Sequence, residues 1–243
     1  MESGQAVRDV QVVPWNQKEE LIISADNSGG IGQKEADQLS VPYDIVSYFS
    51  FRVAVMECMA AGGVPFSVIL QNFCGDDAWA SLLAGIYKGI EELGLEREIG
   101  ITGSTESNFS LRESAIGLTV LGKRTADSQN ATIINGKMAV IGSPLVGEEV
   151  IRQEENVVPL AVFFRVAKVD RCRIQPVGSK GILYELGQLK GDLIQEEEVQ
   201  CSVDLLKSAG PATCFIVEYE KEVEAEIKRL TRGFFQEVQV TSR

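Results

Sequence analysis

The sequence predicts an α+β protein of two domains. Strand-like and helical segments alternate through the first half, and strands with further helical segments fill the second. The polar, turn-rich stretch Asp127-Ser128-Gln129-Asn130 separates them. The expected domains are 1–126 and a smaller α+β domain over 127–243. A chain of 243 residues, 44% hydrophobic and 24% charged, suits two cores of roughly 100–150 residues each.

The elements follow in order. Leu21-Ile22-Ile23-Ser24-Ala25 is a short apolar run that predicts a strand ending at Asp26. The following Asn27–Gly32 reads as a loop, because three glycines in four positions weaken any regular element. Ser47–Ala61 predicts a helix with Phe51, Ala54, Val55, Cys58 and Met59 on its apolar stripe, stopped by Gly62-Gly63 with Pro65 beyond. Phe66–Gln71 is a strand. Trp79–Leu93 is a second helix with Leu82, Leu83, Ile86 and Ile90 apolar and Gly94 as its stop. Ile99–Thr102 and Ala115–Leu121 complete the first half as strands. Beyond the boundary, Lys137–Gly142 is a strand, Val157–Arg173 reads as β-rich, and Ile182–Gln188 and Ser202–Ser208 read as short helices. Cys214–Tyr219 is a strand, Lys221–Thr231 a charged helix with Glu224 and Lys228 paired at i,i+4, and Gln236–Val240 a final strand. The acid run Glu196-Glu197-Glu198 is a solvated turn.

Composition excludes several chemistries. The chain has no histidine, so Ser-His-Asp and Cys-His catalysis and histidine-rich zinc sites are ruled out. Catalysis must then run on carboxylates, lysines, backbone groups and oxygen-liking metals. A net charge of −12 and a pI near 4.6 oppose nucleic acid as a partner, because phosphate backbones are bound through lysine and arginine. A small phosphorylated ligand stays compatible when a magnesium ion supplies the positive charge. Cys58, Cys74, Cys172, Cys201 and Cys214 are odd in number, lack C-x-x-C spacing and read as reduced thiols of a cytoplasmic protein. Neither a leader with a basic flank nor a run of 18 apolar residues occurs, so secretion and membrane insertion are not expected.

The candidate chemistry lies at element ends. Ile101-Thr-Gly-Ser-Thr-Glu-Ser-Asn108 combines small hydroxylated residues, a glycine and a carboxylate in what reads as a turn whose backbone can approach phosphate oxygens. Ser24–Lys34 and Glu57–Pro65 are two more acidic, glycine-containing segments at element ends, and the three together point to a nucleotide and metal site. Asp26, Glu57 and Glu106 are hard oxygen donors that suit magnesium. Two other glycine clusters carry no motif. Gly178-Ser179-Lys180-Gly181 lacks the P-loop pattern, and Gly29-Gly30-Ile31-Gly32 lacks the dinucleotide spacing.

The string Phe51-Arg-Val-Ala-Val-Met-Glu-Cys-Met-Ala-Ala-Gly-Gly-Val-Pro65 resembles the Asn-Asp-Leu-Ala-Ala-Met-Gly-Ala-x-Pro helix of the PurM-like, or aminoimidazole ribonucleotide synthetase-related, superfamily. Ser24–Lys34 resembles that superfamily's Asp-Gly-x-Gly-x-Lys loop with an insertion, and Gly103-Ser-Thr-Glu106 its Gly-Gly-(Asp/Glu)-Thr. The order of the three matches. In the second half, Ala209–Val217 and the charged helix after it are similar to the closing strand and helix of that superfamily. Glutamate stands for aspartate at 57, acid and hydroxyl are transposed at 105–106, and Gln175–Ile182 replaces the Asp-x-x-x-Gly-Gly-Leu helix start. With Arg8-Asp9, Gly103–Asn108 and Val177–Ile182, the chain is most similar to the short branch that includes α-ribazole kinase of cobamide salvage.

The resemblance implies a PurM-like fold whose N-terminal sheet carries helices on one face and pairs with a second copy in a homodimer. It implies ATP and Mg2+ as cofactors and a nucleoside-like small molecule as substrate. Its carried-over site has Asp26, Lys34 and Lys180 as catalytic residues and Asp26, Glu57 and Glu106 as metal ligands. Asp9, Gly32, Lys34, Gly103, Ser104, Thr105 and Asn108 fall at nucleotide-binding positions, and Gly178, Ser179, Lys180 and Gly181 at substrate-binding ones. The expected activity is phosphoryl transfer. Rival expectations are a PurM-like ATP-dependent synthetase that activates an amide oxygen, and a non-catalytic nucleotide-binding regulatory dimer.

Overall fold

The computed structural model describes residues 5–7, 9–95, 98–126, 133 and 136–241. Arg8 and the turn-rich 127–130 of the expected boundary lie outside them. Chain contacts separate two compact units, Met1–Gln129 and Asn130–Arg243.

The first unit is a six-stranded sheet with two helices. Its elements are β1 (Gln5–Val7), β2 (Val10–Pro14), β3 (Glu19–Gly29), the short β4 (Ile31–Gly32) and β5 (Leu39–Ser40), α1 (Tyr43–Ala60), β6 (Val64–Asn72), α2 (Trp79–Leu93), β7 (Gly100–Thr105) and β8 (Ala115–Thr125). The sheet order is β1-β2-β3-β8-β6-β7, antiparallel except for the β6–β7 pair, whose connection through α2 permits parallel strands. Alternation sets the faces. Ile22, Val68, Leu70, Leu118 and Val120 are at most 1% exposed and look toward α1, while Leu21, Ile23, Ile69 and Leu121 on the opposite face are only half-buried. Each fully buried aliphatic side chain contributes about 1.5–3 kcal/mol to stability. Helix α1 lies on β3 and β8 with α2 against its outer side, so α1 is buried nearly all round.

The second unit holds β9 (Lys137–Gly142), α3 (Glu148–Arg152), α4 (Leu160–Ala167), β10 (Cys172–Pro176), α5 (Gly181–Lys190), β11 (Val199–Gln200), β12 (Cys214–Tyr219), α6 (Glu224–Thr231) and β13 (Phe235–Val240). Its antiparallel sheet runs β10-β12-β9-β13-β11. Helix α5 packs Ile182 and Leu186 with Val140, Cys214 and Ile216, while Phe163 of α4 meets Phe215 edge-on at 5.1 Å. Strand β12 is buried at every position, and its one charged residue, Glu218, is paired with Arg173 and Lys190.

The structure corrects four sequence expectations. Asn27–Gly29 are strand, because β8 supplies ladder partners as far as Gly29↔Ala115 and offsets the glycine cost. Ser104 and Thr105 belong to strand β7 rather than to a turn, paired with Gln71 and Asn72. The β-rich stretch over Val157–Arg173 contains helix α4, where Leu160, Phe163 and Val166 bury one face at helical spacing despite β-favouring composition. Ser202–Ser208 is not helical. Asp204 Oδ1 accepts from the amides of Leu206 and Lys207, a local turn that competes with helix formation. Strands β1 and β2 and helix α3 were not anticipated. All five cysteines are free thiols, and burial pushes that of Cys58 up to about 12. No helix among the described residues is long and apolar enough to cross a membrane.

Candidate functional site

Strand pairing gathers the functional segments of the first unit at one end of its sheet. Thr105 pairs with Asn72, Asn72 with Ile116, and Ile116 with Ser28, so the ends of β7, β6 and β3 and the start of β8 lie side by side. Buried Asn72 ties this end together. Its Nδ2 donates to Thr105 Oγ1 (3.1 Å) and to the Gly75 carbonyl (2.9 Å), and its Oδ1 accepts from the Cys74 amide (2.8 Å). Glu106, just past β7, accepts at Oε1 from the amides of Asn108 (2.7 Å) and Phe109 (3.3 Å), which fixes the turn and leaves Oε2 without a protein partner among the described residues.

Lys34 reaches the same place from the loop after β4. Its Nζ donates to the Phe73 carbonyl (2.8 Å). A groove of about 390 Å3 is lined by Lys34, Phe73, Asp76, Glu106 and Arg112 among others, so the structure brings the expected cation and one expected acid together. Gly32 and Gly103 keep the backbone close here. A Cβ on Gly32 would stand 2.4 Å from Ser114 Oγ, and one on Gly103 2.0 Å from the Leu70 carbonyl oxygen. Ser104 and Asn108 are exposed, Thr105 is half-buried, and Asp9 is exposed at the turn between β1 and β2.

Asp26 is on the helix-facing side of β3, where it accepts a hydrogen bond from Ser50 of α1. Burial outweighs the bonds from Ser50 and the Asn27 amide and raises its pKa to about 6. In register, Asp26 pairs with Leu118, Leu118 with Leu70, and Leu70 with Gly103. Three strand spacings separate it from Gly103, about 14 Å. Glu57 is 8% exposed on α1, seven residues from Ser50 and so about 10 Å along the helix. Among the described residues no three His, Cys, Asp or Glu side chains converge as metal ligands. Asp26, Glu57 and Glu106 thus do not form one three-ligand metal centre within a single chain.

In the second unit, Gly178, Ser179, Lys180 and Gly181 form the turn from β10 into α5, with the Gly178 carbonyl accepting from the amides of Gly181 (3.3 Å) and Ala209 (3.1 Å). Exposed Lys180 donates to the Tyr184 hydroxyl (3.1 Å), and its Nζ stands 4.2 Å from the centre of that ring.

Sequence reasoning missed Asn72 and a knot formed by Asp37, Ser114 and Tyr43. Asp37 Oδ1 accepts from the Ser114 amide (2.6 Å), and Oδ2 from Ser114 Oγ (2.6 Å) and the Lys34 amide (2.8 Å). Ser114 Oγ also pairs with Tyr43 Oη (3.0 Å). Burial raises the pKa of Asp37, but the Ser114 and Lys34 bonds and the Lys34 charge outweigh it and hold the carboxyl below its ordinary value. Asp37 and Ser114 are 77 positions apart, so no local pattern signals their contact.

No protein-family model matches this sequence, and no curated protein matches it. Solved structures do. PurL of T. maritima complexed with ATP superposes with a TM-score of 0.59 at 13% identity, over 96% of this chain and 42% of that one. The present chain therefore spans less than half the length of PurL. Thiamine-monophosphate kinase from Stenotrophomonas maltophilia K279a superposes at 0.60 with 11% identity, over 97% of this chain and 90% of that one. AaThiL complexed with AMPPCP and TMP gives 0.59 and 13%, over 100% and 87%. At such identities the common property is the fold, which is the PurM-like α+β fold anticipated from the sequence.

Proposed function

We propose that this chain is an ATP-dependent phosphotransferase acting on the hydroxyl of a nucleoside-like small molecule, with α-ribazole of cobamide salvage as the named acceptor. The observation that carries the reading is the groove in which Lys34 and Glu106 meet at the glycine-rich end of the sheet. Further support comes from structural neighbours complexed with ATP or AMPPCP and from a neighbouring kinase matched over 90% of its length.

Phosphoryl transfer depends on positioning and on balancing charge. ATP would bind as its magnesium complex, the metal supplying charge balance at the phosphates. Lys34 supplies a point charge to the phosphates, while Glu106, turn-fixed through Oε1, offers Oε2 to the cation side of that complex. Asp26, with its pKa near 6, is ionised at neutral pH yet basic enough to take the proton of the acceptor hydroxyl. Gly103, Ser104, Thr105 and Asn108, together with Gly32 and Asp9, complete the proposed nucleotide contacts. The Gly178–Gly181 turn with Lys180 is the proposed acceptor-side element of the second domain, 127–243, and 1–126 is the proposed nucleotide domain. We place the working protein as a homodimer in the cytoplasm.

The test is incubation with ATP, magnesium and a panel of nucleosides that includes α-ribazole, followed by 31P NMR and mass spectrometry. A new phosphomonoester is expected. A cyclised or aminated product would replace the reading with a synthetase, and nucleotide binding without turnover would replace it with a regulatory dimer.

A further inference from the structure

The strongest unused feature of the molecule is the carboxylate of Asp37. Both of its oxygens are occupied by hydrogen bonds that converge from two distant segments, the Lys34 loop and the first residue before β8. The loop is held in place by further bonds on either side. Gly30 N donates to the Ser114 carbonyl (2.8 Å), Ala36 N to the Arg112 carbonyl (3.2 Å), and Asp37 N to the Lys34 carbonyl (3.1 Å). Ser114 is 1% exposed and Tyr43 8%, so this anchor is rigid and dry on its inner side. Its outer end is Lys34, whose ammonium projects to the groove wall and rests on the Phe73 carbonyl.

We propose that Asp37 is the positioning residue of Lys34: its carboxylate fixes the Lys34 backbone against Ser114 so that the ammonium is presented to the groove. Three donors point at this side chain, and only a carboxylate can accept from all of them. An asparagine would turn its NH2 toward one of those donors and release either Lys34 or Ser114. The loop is otherwise built around Gly30 and Gly32, which give it little stiffness of its own. A loosely held lysine loses part of its electrostatic effect, because transition-state stabilisation depends on a charge fixed beforehand. The kinetic part of this inference rests on the phosphotransferase reading, and the geometric part does not.

The test uses the full chain and the variants Asp37→Asn, Lys34→Ala and their combination. Two readouts are taken: ATP-dependent turnover, and the rate of acetic anhydride acylation of Lys34 by mass spectrometry, with Lys88 and Lys123 as internal controls. Asp37→Asn is expected to lower kcat by about tenfold or more beside Lys34 and by less than about twofold in the Lys34→Ala background, the non-additivity of residues acting through one another. It is also expected to change Lys34 acylation by at least about threefold while both controls stay constant, since reactivity follows access to the ammonium. Equal losses of kcat in both backgrounds, or unchanged Lys34 acylation, would overturn the proposal and leave Asp37 a purely structural anchor. If the unaltered protein turns over no ATP, the phosphotransferase reading fails while the acylation result still decides the positioning role. Should Asp37→Asn fail to fold, Ser114→Ala, which removes one of the three bonds and keeps the carboxylate, is read by acylation in the same way.

Discussion

Asp26 of strand β3 accepts a hydrogen bond from Ser50 of helix α1, in a sheet–helix interface dry enough to lift the Asp26 pKa from 3.8 to about 6. An acid whose folded pKa stands above its unfolded value holds its proton more tightly in the folded state. The associated stability is present below the unfolded value and is lost as pH rises through the folded one. Retaining a charge that the fold resists is a mark of functional sites.

Asp26→Asn is therefore expected to raise stability at pH 7.5 by roughly 1–3 kcal/mol, from about 1.4 kcal/mol per pKa unit. The gain should shrink as pH falls from about 6 and vanish near pH 4, because both proteins are then neutral at this site. Turnover of the unaltered protein should fall below about pH 6, and the variant should lose at least about 100-fold in kcat. Urea unfolding across pH and a pH–rate profile check both. A variant that is no more stable at pH 7.5 and retains full activity contradicts the assignment.

Glu106→Gln separates charge from architecture, because a glutamine Oε1 still accepts from the Asn108 and Phe109 amides. Its melting temperature should stay within about 3 °C, while the magnesium concentration giving half-maximal turnover rises by about tenfold. Glu57, two helical turns from Ser50, should behave differently. Glu57→Gln is expected to leave the magnesium requirement within about twofold. Equal responses in the two variants would return Glu57 to the nucleotide site.

The sheet of the first unit carries both its helices on one face, and Leu21, Ile23, Ile69 and Leu121 on the other remain half-buried. An apolar sheet face needs a cover. Light scattering at micromolar concentration should report a homodimer, and Leu121→Lys should shift it toward monomer with a cooperative thermal transition retained. A monomeric unaltered protein would refute the pairing.

Lys180 is exposed, and its hydrogen bond to the Tyr184 hydroxyl is a surface contact worth about 1 kcal/mol. Lys180→Ala should leave the melting temperature unchanged within about 1 °C and reduce kcat by on the order of 100-fold. A kcat within about twofold of the original would remove Gly178–Gly181 from the site.

Elements with strong local signals were readable directly. Trp79–Leu93 has its predicted bounds, because Leu82 and Ile86 recur at helical spacing and Gly94 closes the last turn at φ +62°. Lys137–Gly142 and Cys214–Tyr219 are likewise rich in apolar residues and became central strands. Stretches whose composition and spacing disagree were not readable. Val157–Arg173 is rich in valine and phenylalanine, yet burial of Leu160, Phe163 and Val166 on one face makes its middle a helix. The candidate site divided in the same way. Lys34 and Glu106 stood out as charged residues beside glycines, whereas Asn72 and Asp37 read as ordinary polar residues until their partners were in place.

By itself the sequence determined the α+β class, the acidic histidine-free chemistry and the segments that carry charge near glycine, since these depend on composition and short-range periodicity. Only the tertiary structure decided that β3 continues to Gly29, that Lys34 and Glu106 share a groove while Glu57 lies apart, and that Asp37 anchors the Lys34 loop to Ser114. Each of these depends on pairing between residues far apart in the chain. Strand ladders and carboxylate hydrogen bonds gain their energy only when distant partners meet, and no window of neighbouring residues contains both halves of such a contact.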